Sequence, residues 1–225
     1  MSEPRGHSLM VQKTAHYFTL GEPGEHVRYL WIVCHGYGQL ARKFIRKFDF
    51  LDRSAHLVIA PEGLSRFYWQ GFHGEPVASW MTREDRLDEI RDYAAYLSQL
   101  YATYVPRCPQ AKIVLLGFSQ GVATQLRWML QDFPAFDHLI LYAGMLPDDL
   151  DYRSHQSYLR GGNTHLLYGT EDEFLSADAL SRMQMLIRDN DLELRVHTFA
   201  GNHQVDRTVL DRYFNQYLAS ASDPL

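Results

Sequence analysis

Lys112-Ile113-Val114-Leu115-Leu116 leads into Gly117-Phe118-Ser119-Gln120-Gly121, after which Val122, Leu126, Met129 and Leu130 recur every three or four residues. The first run has the unbroken apolar character of a buried strand, and the last has the spacing of an amphipathic helix. Between them the Gly-x-Ser-x-Gly pentapeptide reads as a strand-to-helix corner that holds a serine clear of the backbone. A side chain two residues before or after that serine would collide with neighbouring backbone, and glycine at 117 and 121 removes both clashes. Chance supplies roughly 0.07 such patterns in a chain of this length, so the flanking strand and helix give this one its meaning. A serine so placed becomes a nucleophile once it has a base and oxyanion donors.

On either side of the corner, segments rich in Val, Ile, Leu and aromatics alternate with helical patterns, which predicts βα units wound onto a mostly parallel twisted sheet with helices on both faces. Strands are expected at His16–Leu20, Val27–Cys34, Leu57–Ala60, Lys112–Phe118, His138–Tyr142, His165–Tyr168 and Leu194–Phe199. Gly21-Glu22-Pro23-Gly24 breaks the first two, which predicts an antiparallel N-terminal hairpin. Helices are expected around 85–104, 120–132, 177–189 and 204–219, with another around 39–50. No repeat, low-complexity tract or linker divides the chain, so residues 1–225 read as one α/β domain, with about 1–12 and 220–225 frayed.

Composition excludes several function classes. A formal net charge of −5 gives no electrostatic reason to expect nucleic acid as a partner. Arg42, Lys43, Arg46 and Lys47 fall at helical spacing and read as a solvated face. No run of about 18 apolar residues and no signal-type leader is present, so neither export nor stable membrane insertion is expected. Two cysteines, Cys34 and Cys108, are not a disulfide framework, and a reducing cytoplasm is the expected location. No His-Glu-x-x-His or paired-cysteine spacing occurs, so no metal site is expected.

A base and an acid must follow the serine in chain order, each from a loop at the carboxyl end of a later strand. Gly201-Asn202-His203 follows one strand and Gly169-Thr170-Glu171-Asp172-Glu173 follows another. His203 is the candidate base. Asp172 is the candidate acid, with Glu171 and Glu173 as rivals, and Ser119, Asp172 and His203 together form the candidate catalytic set. His197 lies within a strand and reads as a packing residue. Two backbone N–H groups must face the oxyanion. One is expected from Gln120 at the helix start, and the other from Tyr37 in the glycine-rich turn His35-Gly36-Tyr37-Gly38. His35 precedes that donor and reads as a structural hydrogen-bonding group.

His-Gly-x-Gly at 35–38, Gly-Phe-Ser-Gln-Gly at 117–121, Gly-Met-Leu-Pro at 144–147, Gly-x-x-Asp at 169–172 and Gly-x-His at 201–203 together resemble the phospholipase/carboxylesterase family of small serine hydrolases. That family includes carboxylesterases, lysophospholipases and acyl-protein thioesterases. The resemblance implies an α/β-hydrolase fold without a cofactor, with Ser119, Asp172 and His203 as triad and Tyr37 and Gln120 as oxyanion donors. It implies hydrolysis of a small-molecule ester or thioester through an acyl-enzyme, with short to medium acyl chains expected. A binding protein that has lost the chemistry is the reading from another class, and the complete set of three groups argues against it. Two departures bear on substrate: Glu173-Phe174-Leu175 replaces a stretch usually rich in Pro and Val, and Met81-Thr82 follows Trp80 where an aromatic and an acid are usual.

Residues 61–83 are dense in aromatics, among them Phe67, Tyr68, Trp69, Phe72 and Trp80. They can line a pocket or pin a long loop to the core, and the segment is also a candidate lid. Trp80, Trp69, Phe72 and Met145 are the candidate substrate-binding side chains. Asp148–Gly162 is too short and polar for a large cap domain, which predicts an open cleft.

Overall fold

The computed structural model describes residues 5–219; the expected fraying at 1–4 and 220–225 lies outside the described residues. Residues 5–12 carry no regular secondary structure and are exposed. The strands are β1 (Tyr17–Leu20), β2 (Tyr29–Cys34), β3 (His56–Pro61), β4 (Ser65–Tyr68), β5 (Pro76–Ser79), β6 (Lys112–Phe118), β7 (His138–Tyr142), β8 (Asn163–Gly169) and β9 (Arg195–Phe199). The helices are α1 (Ala41–Phe44), α2 (Arg86–Tyr104), α3 (Gln120–Asp132), α4 (Gln156–Leu159), α5 (Ala177–Asp189) and α6 (Arg207–Tyr213). The predicted helix at 39–50 is α1 running into a 3-10 turn, Ile45–Phe48, and that at 204–219 is α6 running into a π turn, Phe214–Leu218.

Seven strands form one sheet in the order β1-β3-β2-β6-β7-β8-β9, parallel except for β1. The antiparallel N-terminal strand is present, but it does not form the predicted hairpin with β2: β3 lies between them, and β1 pairs with β3 from Tyr17↔Pro61 to Leu20↔Val58. Burial explains the exchange. Every residue of β2 is buried, which requires a neighbour on each side, whereas β1 is largely exposed and suits an edge. The link spans residues 21–28, longer than the two to five typical of hairpins. Gly21, at φ +85°, turns hard against β3, where a Cβ would lie 2.2 Å from the His56 carbonyl oxygen.

Strand side chains alternate between two apolar layers with the period of two that a pleated strand imposes. Leu30, Ile32, Leu115, Leu139 and Leu141 join Tyr93, Ala94 and Leu97 of α2, Val122, Leu126 and Met129 of α3, and Met183 of α5. Trp31, Val33, Val114, Leu116, Ile140 and Tyr142 join Ala41 and Phe44 of α1 and Leu210 and Tyr213 of α6 on the other face. Truncating a fully buried member such as Ile32 or Leu115 to alanine costs about 2–5 kcal/mol. The predicted α2 stripe begins too early, because Leu87 is exposed and the buried set starts at Tyr93.

The aromatic segment is not a loop throughout. β4 and β5 make an antiparallel ribbon, Ser65↔Ser79 to Tyr68↔Pro76, tied to the main body by a bridge between Gln39 and Ala78. No helix among the described residues is long and apolar enough to cross a membrane.

Candidate active site

β2 and β6 are neighbours, paired to Cys34↔Gly117, and the chain leaves them on opposite sides of the sheet. Their carboxyl ends therefore flank a crevice at the switch point, where open α/β sheets place ligands. Ser119 sits there with φ 53° and ψ −117°, a strained conformation for a residue with a side chain. Surrounding backbone holds it: the Ser119 N–H donates to the Tyr142 carbonyl at 2.9 Å. Both glycines are demanded by close approach. A Cβ on Gly117 would lie 2.3 Å from the Gly121 oxygen, and one on Gly121 would lie 2.2 Å from the Cys34 oxygen.

Ser119, His203 and Asp172 lie in one hydrogen-bonded row. Ser119 Oγ is 2.9 Å from His203 Nε2, and His203 Nδ1 is 2.8 Å from Asp172 Oδ2. The buried carboxylate places a proton on Nδ1, leaving Nε2 as acceptor for the serine hydroxyl. Glu171 and Glu173, the rival acids, are exposed, whereas Asp172 is buried. The two loops are fastened to each other, Thr170 N–H donating to Phe199 O at 2.8 Å and Glu171 N–H to Gly201 O at 2.9 Å. Asp172 also fixes its own turn, as Oδ1 accepts from the Phe174 N–H at 2.9 Å.

The turn after β2 sorts its donors. Gly36 N–H donates to Gln39 Oε1 at 3.0 Å and Gly38 N–H to Ala78 O at 2.9 Å, while the Tyr37 N–H between them has no acceptor among the described residues. The Gln120 N–H, at the first position of α3, likewise has none. His35 is fully buried as a neutral ring: Nε2 accepts from the Gly63 N–H at 3.0 Å, so Nδ1 is the donor to Gly36 O at 2.7 Å. Burial pushes its pKa down to about 4, which keeps it neutral.

The four candidate substrate-binding side chains part company. Trp69 is exposed and packs on Gly38 and on the Tyr37 ring, 5.8 Å between centroids. Phe72 is 91% exposed in the β4–β5 connection. Met145 is half-buried against the core. Trp80 is withdrawn from the cleft surface: it is 1% exposed, its indole N–H donates to His35 O at 2.8 Å, and its ring lies 5.0 Å from His35. A long connection needs such an anchor, which is why this aromatic went inward. His197 is structural as expected, with Nε2 3.1 Å from His165 Nδ1.

Two contributions escaped the sequence reading. Phe174, 68% exposed, lies 4.6 Å ring to ring from His203, which Phe118 approaches at 5.0 Å. Its signal in the sequence is an aromatic in the post-acid loop. The other is the Gln120 side chain, which nothing in sequence distinguishes from its backbone role: its amide bonds to residues 79–81.

The chain belongs to the phospholipase/carboxylesterase family, whose model matches residues 15–216, and with the family comes its activity class, carboxylic-ester hydrolysis. No curated protein sequence matches the chain. Among solved structures, acyl-protein thioesterase 2 of Zea mays is similar at TM-score 0.68 and 16% identity, covering 90% of this chain and 97% of its own. A carboxylesterase of Mesorhizobium loti is similar at TM-score 0.66 and 17% identity, covering 93% and 98%. The Bacillus cereus carboxylesterase is similar at 0.62 and 14%, covering 90% and 93%. At these identities the likeness speaks for the α/β-hydrolase fold.

Proposed function

We propose that the chain hydrolyses carboxylic esters of small molecules, with short to medium acyl groups, through an acyl-enzyme on Ser119. The observation that carries this reading is the row Ser119 Oγ, His203, Asp172 at 2.9 and 2.8 Å, set on a strained strand-to-helix corner. His203 Nε2 takes the hydroxyl proton as Oγ attacks the carbonyl carbon, and Asp172 stabilises the imidazolium. Negative charge develops on the carbonyl oxygen, facing the Tyr37 and Gln120 N–H groups and the positive end of α3. Collapse breaks the bond to the leaving group, which receives the proton from His203. Water then repeats the sequence from the same side, releasing the acid and restoring Ser119.

A thioester would pass through the same steps with a thiol leaving. Residues 144–162 support access for extended substrates, since they hold only a 3-10 turn, Arg153–His155, and the four-residue α4. Rapid mixing with a p-nitrophenyl ester tests the reading. A burst of one p-nitrophenolate per chain, absent from Ser119→Ala, is the expected result. Hydrolysis by Ser119→Ala at the wild-type rate would overturn it.

A further inference from the structure

The aromatic segment and the two oxyanion donors are joined by bonds that neither the row of three side chains nor the core requires. The Gln120 amide works from both ends: Oε1 accepts the Trp80 backbone N–H at 3.1 Å, and Nε2 donates to the Met81 carbonyl at 2.9 Å. Ser79 Oγ lies within reach of both ends, 3.4 Å from Oε1 and 3.3 Å from Nε2, and donates to Met81 O at 3.0 Å. With Ala78 added, the stretch also grips the turn that carries the other donor. Ala78 O accepts from Gly38 N–H at 2.9 Å, Ala78 N–H donates to Gln39 O at 3.1 Å, and the Trp80 indole N–H reaches His35 O at 2.8 Å.

We infer that the Gln120 side chain is a positioning residue: with residues 78–81 as a strut, it sets the separation and aim of the Tyr37 and Gln120 N–H groups. The inference rests on the proposed esterase reading. The N–H at 37 and the N–H at 120 stand on turns after two different strands, so the sheet alone does not fix their relative orientation to the fraction of an ångström that oxyanion stabilisation needs. The strut does so because each end is bonded to one donor's own residue or its chain neighbours. The amide at 120 accepts from an N–H through Oε1 and donates to a C=O through Nε2 at the same time. A methionine fills similar volume and does neither, and a glutamate accepts but cannot donate. The fixed donors act on the charge formed in the transition state, and substrate binding draws little on them.

The test compares wild type with Gln120→Met and Gln120→Glu in ester hydrolysis and in affinity for an aryl trifluoromethyl ketone, which forms a hemiketal oxyanion on the serine. The expected result is a kcat lower by about 10- to 100-fold in Gln120→Met, KM within about twofold of wild type, and ketone affinity reduced in step with kcat/KM. Gln120→Glu falls between the two. Trp80→Phe, which keeps a ring and loses the indole bond to His35, is expected to shift kcat and ketone affinity in the same direction. This variant decides the matter if Gln120→Met does not fold. Unchanged kcat and ketone affinity in folded Gln120→Met, or a fall in kcat with full ketone affinity, would overturn the inference. If wild type forms no hemiketal, or Ser119→Ala hydrolyses the ester, the esterase reading itself falls, and the two failures are thereby told apart.

Discussion

The corner at 117–121 and the ribbon segment at 61–83 meet at one crevice, yet they are built on opposite principles. The corner is local: five consecutive residues, a strained φ at Ser119 and two glycines that backbone contact demands. The ribbon acts at a distance, since Trp80 and Met81 reach Gln120 across about forty positions in sequence and Trp80 reaches His35 across 45. Chemistry concentrated in neighbouring residues leaves a motif. Chemistry distributed over long-range bonds leaves only composition, here a crowd of aromatics whose members then diverge, Trp80 into the core and Phe72 into solvent.

That contrast can be broken by substitution. The largest effect belongs to the corner serine and the two side chains in its row: Ser119→Ala or His203→Ala should lower kcat by about 10⁴-fold or more, with a smaller loss in Asp172→Ala, as read in steady-state hydrolysis. Full activity in Asp172→Ala would move the acid elsewhere. Next comes the buried end of the ribbon, where Trp80→Ala should cost about 3–5 kcal/mol in urea unfolding; a loss under 1 kcal/mol would mean the anchor is dispensable. Gly121→Ala follows, because its new methyl meets the Cys34 oxygen, and a Tm lower by about 5–10 °C is expected. An unchanged Tm would show that the corner has slack.

A pH effect comes from two buried histidines. Burial lowers the pKa of His35, and burial with the nearby His197 lowers that of His165, each from 6.5 to about 4. Native rings therefore stay neutral where the unfolded chain takes up protons, so their stabilisation is complete above pH 6.5 and declines as pH falls toward 4. Unfolding stability should drop across that window, with proton uptake on unfolding. Proton release instead would reverse the sign. The smallest effect is Phe72→Ala, within about 0.5 kcal/mol of wild type, since its ring is in solvent.

Much of the fold could be read beforehand because burial on both faces gives parallel strands an unmistakable run of apolar residues. β6, β7, α3 and α5 fall where the pattern puts them. The order of β1, β2 and β3 was not legible, because strand pairing depends on which edge is left exposed, and a turn-rich link suits a hairpin and a longer crossing equally. The convergence of Ser119, Asp172 and His203 was legible because each follows a strand and each has glycine close by. The Gln120 side chain and the brace were not, because a hydrogen bond between residues 40 apart leaves no trace in either local pattern.

Ser119 is the proposed nucleophile. Incubation with a fluorophosphonate, followed by mass analysis of the intact chain and its peptides, tests this most directly. One adduct per chain, on the peptide carrying Ser119 and missing from Ser119→Ala, is the predicted result; an adduct on another residue, or equal labelling of Ser119→Ala, would contradict it.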